Sequence, residues 1–278
     1  MKAKKDLTSH IGWRFLWWMV GLVIIILIWT ILALTAFKHN HKLPDPIMAL
    51  STVFQELGKG HSWGAIWIAI AQALAAFLGS FLIASGLIIW SRYHHIVKYV
   101  IQPFIVLGRS LPTLALQILI ATFCPLWLVS IVIPFMIVFP MTIESLTNAV
   151  DNVDVKLLEM ANVFNVSRMD QIKKVYLPSI TPYAFSTLIA GFGLTFKVVL
   201  ASQVLNNGVP GYDSIGFIMV NANNNGHFDI IIAWAIIAIT ISLCFELILK
   251  SMGRICMPWR YNDQKYLHNF FTKGKFHD

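Results

Sequence analysis

The chain has 278 residues, 57% of them hydrophobic and 12% charged, with a formal net charge of +8. A soluble domain carries about 25% charged residues, so this composition excludes an ordinary soluble globule and indicates an integral membrane protein. The Lys and Arg residues fall between apolar runs rather than on one amphipathic face, which argues against a nucleic-acid binder; three cysteines without a Cys-x-x-Cys pair indicate neither a disulfide framework nor a zinc site.

Six apolar runs are long enough to cross a bilayer as helices, at about 15–37, 63–90, 98–122, 126–147, 180–204 and 228–250. Short strands of alternating polarity are absent, so the expected class is an all-α membrane protein with six spans. The first run follows Lys2, Lys4, Lys5 and Arg14. Its apolar stretch is too long for a signal peptide, and no good small-x-small cleavage site follows, so it is read as a span. The segment after it contains Lys38-His39-Asn40-His41-Lys42. Two histidines flanked by lysines are too few, and too positively surrounded, for a metal site, and a solvated loop is expected.

The third run opens at Gln102-Pro103 and Leu111-Pro112, and the fourth carries Pro134 and Pro140. Proline frees backbone groups that neighbouring helices or a wet cavity must satisfy. These two spans are therefore expected to line the protein interior.

Between the fourth and fifth runs lies a polar hairpin, about 150–178. Asp154 is a candidate N-cap for a helix through Val163, with Leu157, Leu158 and Ala161 on its apolar face. Asn165 suits the left-handed conformation that ends a helix. Ser167 and Asp170 have capping-box spacing for a second helix, with Lys173 and Lys174 near its end. Pro178 marks the approach to the next span. Two short capped helices at right angles, with Met160, Val163 and Phe164 exposed, form a rigid knob that suits a protein partner; a plain linker is the alternative.

Lys197 sits within the fifth run. A charge at that depth costs at least about 2.5 kcal/mol and faces a cavity or a partner. It reads as an anion-attracting group on a transport path or as a structural pair, for instance with Glu144. Gly191 and Gly193 on the same run fit a close inter-helix seam. Gln203, Gln117 and Gln72 are intramembrane amides, of which Gln203 and Gln117 are candidate pathway residues. Asn206-Asn-Gly208-Val-Pro-Gly211-Tyr-Asp213, with Asn221 to Asn225, is turn-rich and polar, and reads equally as a plain connector or as a surface on the side where an extracytoplasmic protein would dock. Glu246 and Lys250 have the spacing of an i,i+4 ion pair.

Lys and Arg concentrate before residue 15, between the second and third spans, in the hairpin and after residue 249, whereas 203–227 holds none. Both termini and the hairpin are therefore expected in the cytoplasm. Trp13, Trp17, Trp18, Trp63, Trp67, Trp90 and Trp259 lie near span ends, as an interfacial belt would. The organisation expected is a cytoplasmic segment 1–14, a transmembrane domain 15–255 and a cytoplasmic tail 256–278.

The run Glu159-Met160-Ala161, Asn165, Ile172 and Leu177-Pro178 resembles the "EAA" coupling loop of binding-protein-dependent ABC transporter permeases. The usual pattern is Glu-Ala-Ala, three residues, Gly, then Leu-Pro further on; here Met160 replaces the first Ala and Asn165 the Gly. Arg109-Ser-Leu-Pro112, Phe139-Pro140, Asn152-Val-Asp154, Pro182-Tyr183 and Gly191-Phe-Gly193-Leu194 extend the likeness over roughly 95–255, towards the nitrate/sulfonate/taurine-type subfamily.

The resemblance implies a type I ABC importer permease fold in the bacterial inner membrane. It implies two copies, identical or not, forming the pathway for a small solute, with a sulfonate or nitrate anion one candidate. It implies a pair of cytoplasmic ATPases docked on Glu159, Met160, Ala161, Val163, Phe164 and Asn165, and an extracytoplasmic solute-binding protein. The chain has no Gly-x-x-x-x-Gly-Lys-[Ser/Thr] run, so no cofactor is expected in it, and ATP and Mg would be bound by the partner. A secondary transporter or channel, which would favour internal repeats, and a scaffold anchoring cytoplasmic partners are the rival readings.

Overall fold

The computed structural model describes residues 2–35, 43–205 and 213–256, all in helices and short connections. The His39/His41 loop, the Asn206-Asn207-Gly208 turn, Trp259 and the tail from residue 257 lie outside the described residues.

Among the described residues eleven α-helices follow in order: α1 (Lys2–Thr35), α2 (Pro46–Leu57), α3 (Gly60–Tyr93), α4 (His95–Ser110), α5 (Thr113–Phe123), α6 (Leu126–Asp151), α7 (Val155–Val163), α8 (Arg168–Gln171), α9 (Leu177–Leu205), α10 (Ile215–Asn224) and α11 (Phe228–Cys256). A π-turn, Ile172–Tyr176, joins α8 to α9. Among the described residues five stretches are long and apolar enough to cross a membrane: Leu16–Thr35, Gly60–Ser91, Trp127–Asp151, Met169–Leu205 and Phe228–Cys256. The expected third span is not one straight helix. α4 and α5 meet at 101°, because Pro112 lacks an N–H and biases Leu111 to the extended conformation it adopts (ψ 128°).

The core is built on α3, α6 and α9. Ala65, Ala69 and Ala73 recur every four residues on α3 with no exposed surface, and such small residues let helix backbones approach closely. Beyond them Phe77 packs edge-on to Phe192 of α9, and Phe192 stacks on Phe245 of α11 with ring centroids 4.5 Å apart. Gly191 sits under Phe77, where a Cβ would lie 2.7 Å from the ring, so the seam expected from Gly191 is an α3–α9 contact. A second apolar cluster, Ala84, Ile88, Ile143, Leu146 and Val150, closes the end of the bundle that carries α7. Ser145 and Thr187 share a 2.6 Å hydrogen bond that sets the register of α6 against α9. Pro134 and Pro140 are buried in an unbroken α6, as an interior-lining helix requires. α4 crosses it at Gly108, whose missing side chain leaves room for Pro140; a Cβ there would stand 2.5 Å from Pro140 Cγ.

α2 and α10 are helices within segments read from sequence as connectors. α2 begins at Asp45-Pro46, with Pro at the first turn where its missing N–H costs nothing. It is pinned to α11 by buried Glu56, whose Oε2 accepts from Trp234 Nε1 at 3.3 Å while Oε1 pairs with Lys59 Nζ at 2.5 Å. α10 starts at Ser214, whose Oγ accepts from the Phe217 N–H. From Leu16 to Thr35 α1 is almost wholly exposed, and it is tied to the bundle by a Trp29 Nε1 hydrogen bond to Pro44 O at 3.1 Å.

Candidate functional site

The polar hairpin is shaped by local caps. The Asp154 carboxylate accepts from the Lys156 N–H at 2.9 Å and starts α7. The helix ends in a Schellman closure: the Val166 N–H reaches Ala161 O, and the Asn165 N–H reaches Asn162 O. Asn165 has φ +52°, the left-handed conformation expected of it and the only positive φ at a non-glycine among the described residues. Ser167 then opens α8. Its Oγ accepts from the Asp170 N–H and donates to the Asp170 carboxylate. Gln171 Nε2 reaches back to Asn162 Oδ1 and Val166 O, at 3.0 and 3.1 Å, and locks α8 onto the end of α7.

Two expectations for this hairpin need correction. The second arm is not a separate helix ended before Pro178. α8 runs through the π-turn into α9 as one apolar stretch, Met169–Leu205. Pro178 has no N–H to offer Lys174 O in an α-helical turn, so the chain widens just before it and Leu177 N–H bonds to Ile172 O. Lys174 consequently sits mid-helix, 3.5 Å from Asp170, rather than at a helix end.

At the tip, Val163 and Phe164 are 77% and 75% exposed, Met160 is 55% exposed, and Glu159 and Asn165 are also exposed, while Ala161 is buried. The structure thus brings Glu159, Met160, Val163, Phe164 and Asn165 onto one protruding surface, with Ala161 as its support. The tip is thus apolar, exposed and carried on a backbone closed by local caps.

The intramembrane polar residues separate into two groups. Gln203 is buried; its Nε2 donates to Gln72 Oε1 at 2.8 Å and its Oε1 accepts from the Gly216 N–H at 3.2 Å. Gln117 is buried and donates to Ser202 Oγ at 2.6 Å. These amides bind α3, α5, α9 and α10 together. Lys197, on another side of α9, is exposed, and among the described residues it has no ion-pair partner. The Ser145–Thr187 contact places Glu144 near residue 187, so Lys197 lies about 15 Å further along the axis. The Lys197–Glu144 pair considered from sequence is therefore not formed. Glu246 and Lys250 do pair, at 2.5 Å, and no His, Cys, Asp and Glu cluster among the described residues could hold a metal.

Sequence reading did not find the Glu56–Trp234 anchor or the Lys98–Asp151 ion pair, 3.2 Å across α4 and α6. Their partners are 178 and 53 residues apart, beyond the reach of any local pattern.

Residues 76–254 match the family described as "Binding-protein-dependent transport system inner membrane component". Among similar proteins, a probable ABC transporter permease protein of Haemophilus influenzae is 26% identical over 80% of this chain and 88% of its own length. A putative aliphatic sulfonates transport permease protein of Bacillus subtilis is 23% identical over 87% and 88%. A nitrate import permease protein of Leptolyngbya laminosa is 29% identical over 61% of each chain. The fold matches a chain of a bacterial ABC transporter that imports alginate, with TM-score 0.60 and 17% identity over 91% of this chain and 99% of the other. It also matches a chain of the inward-facing MetNI methionine ABC transporter, with TM-score 0.56 and 14% identity over 69% and 94%. The family match spans most of the chain and the importer permease fold agrees with it: this chain belongs to the family of inner-membrane components of binding-protein-dependent transport systems, the permease subunits of ABC importers.

Proposed function

We propose that two copies of this chain enclose the pathway for a small anion, and that each α7 hairpin seats in a separate ATPase which binds ATP and Mg. The observation that carries the ATPase reading is the exposed tip of Met160, Val163 and Phe164 on a backbone locked by Asn165 and Gln171. ATP-driven closure of the ATPase pair would move the two hairpins, and the continuous helix from Met169 to Leu205 would carry that motion into the membrane. The Lys and Arg distribution supports a cytoplasmic position for the hairpin and both termini. A solute-binding protein, on which the family's name depends, would deliver the solute at the opposite end.

Lys197 supports the pairing of copies and the anionic solute. A lysine exposed to lipid at mid-span is costly; the same side chain facing a wet passage between two copies is hydrated. Lys197 would meet the solute, and Gln117 and Gln203 would hold the helices behind it in register. Aliphatic sulfonate and nitrate are named for two of the similar permeases, and both are anions.

The decisive experiment is recovery of partners from native membrane with wild type and Glu159→Lys. A P-loop ATPase retained by wild type and lost by the variant is the expected result. Recovery of no ATPase with either form, together with solute uptake independent of ATP in vesicles, would leave a secondary transporter as the better reading.

A further inference from the structure

α9 runs from the hairpin to Leu205, and α10 follows at its far end. Two turns meet there: Gly58-Lys59 joins α2 to α3, and Asn225-Gly226-His227 joins α10 to α11. Together they border a cavity of about 230 Å³. Phe217, Ile218, Ala222 and Ile230 supply its apolar lining. Several of its polar groups are already engaged. Glu56 is buried and holds Trp234 Nε1 and Lys59 Nζ. Asn225 Nδ2 donates to Asn221 O and Oδ1, at 2.8 and 3.1 Å, which leaves Asn225 Oδ1 to accept. Asp213 is exposed, and among the described residues its carboxylate has neither an ion-pair nor a hydrogen-bond partner. His61 and His227 complete the polar lining.

With the histidines counted as neutral, the lining holds two carboxylates and one ammonium, and Lys59 cancels Glu56. The charge left over is that of Asp213. The first turn of α11 adds a second acid, Asp229, and residues 203–227 hold no Lys or Arg. An anion entering the cavity would have to draw Lys59 away from a buried carboxylate, which is costly. An aliphatic stem with a cationic head meets no such conflict: its stem lies on apolar walls and its head on free acceptors. We propose that the cavity receives a lysine or arginine side chain of the solute-binding protein, its stem against Phe217 and Ile230 and its head on Asp213 and Asn225 Oδ1. This rests on the reading above, in which that protein delivers the solute at this end. A side chain seated there would bridge the α2–α3 and α10–α11 turns, and α10 in turn rests on α9 through the Gly216–Gln203 hydrogen bond.

The test is ATP hydrolysis by the assembled transporter in proteoliposomes, titrated with its purified solute-binding protein. Wild type, Asp213→Asn and Asp213→Lys are compared at low and high salt. Half-maximal stimulation is expected to need about tenfold more binding protein for Asp213→Asn and more still for Asp213→Lys, with high salt narrowing the difference. Changing one basic surface residue of the binding protein to Glu should restore docking to Asp213→Lys. Equal half-maximal concentrations for the three forms, or the absence of any such rescuing exchange, would overturn the site. Asp213→Cys, with the three native cysteines replaced by serine, is expected to cross-link to the binding protein; cross-linking to a second copy of this chain instead would assign the cavity to a contact between copies. Recovery of no ATPase with wild type would bring down the importer reading and this proposal with it, whereas a stimulated ATPase indifferent to Asp213 would overturn the docking site alone.

Discussion

Gly216 rests on Gln203. Its N–H donates to Gln203 Oε1 at 3.2 Å, and a Cβ on Gly216 would stand 2.4 Å from both the Gln203 carbonyl carbon and the Gln203 Cβ. The obstructing atoms include backbone of α9, which cannot turn aside as a flexible side chain would. α10 is thereby keyed to the same helix that runs to the polar hairpin.

Gly216→Ala is therefore expected to push α10 off α9, break the Gln203 hydrogen bond and cost about 1–3 kcal/mol, the usual range for overpacking a tight contact. Thermal unfolding of the purified protein measures this. Wild-type stability in the variant would show that α10 is not held by this contact.

Asn165 at φ +52° predicts opposite outcomes for two substitutions. Asn165→Gly should be tolerated with full ATPase recovery, since glycine has no Cβ penalty there. Asn165→Val should cost about 1–2 kcal/mol and loosen the hairpin, seen as faster proteolysis between α7 and α8 and weaker ATPase recovery. Equal behaviour of the two variants would contradict the left-handed closure.

Trp234 and Glu56 are 0% and 3% exposed, so their hydrogen bond joins α11 and α2 without access to water. Trp234→Phe leaves a buried carboxylate short of a donor, a loss of about 1–3 kcal/mol. Glu56→Gln can still accept from Trp234 but gives up the ion pair with Lys59. It should cost less than Trp234→Phe, and the ranking of the two melting temperatures checks the assignment.

Lys197 tests the pathway directly. With Cys124, Cys244 and Cys256 replaced by serine, Lys197→Cys should react with a membrane-impermeant, water-soluble thiol reagent when the complex is assembled. Lys197→Ala should lower anion uptake at least tenfold while leaving ATPase recovery intact, and Lys197→Arg should restore much of it. Labelling only by lipid-soluble reagents would place this side of α9 against lipid and remove Lys197 from the pathway.

The hairpin was legible in the sequence because its contacts are local. Asp154 caps two residues ahead, Ser167 and Asp170 cap each other, and Asn165 ends a helix by its own backbone preference. Pro178 was misleading for an equally local reason. Proline forbids one hydrogen bond, and a stop or a widened turn both satisfy that restriction; the chain takes the widened turn. α2 and α10 carried start signals at Asp45-Pro46 and Ser214, but each is short and held by tertiary contacts rather than by its own hydrophobic length.

The sequence by itself determined membrane residence, the number and approximate position of the apolar runs, and the caps of the hairpin. Each depends on residue type within one or two helical turns, and a bilayer forces any such apolar run to satisfy its backbone internally as a helix. Tertiary structure alone decided which polar groups meet. Gln203 and Gln72 are 131 residues apart, Trp234 and Glu56 178 apart, and Lys197 fails to reach Glu144 although both lie on adjacent helices. Side-chain pairing across a bundle depends on helix register and rotation. Those are set by the collective packing of Ala65, Gly108, Gly191 and Gly216 against their neighbours, and no single segment encodes them.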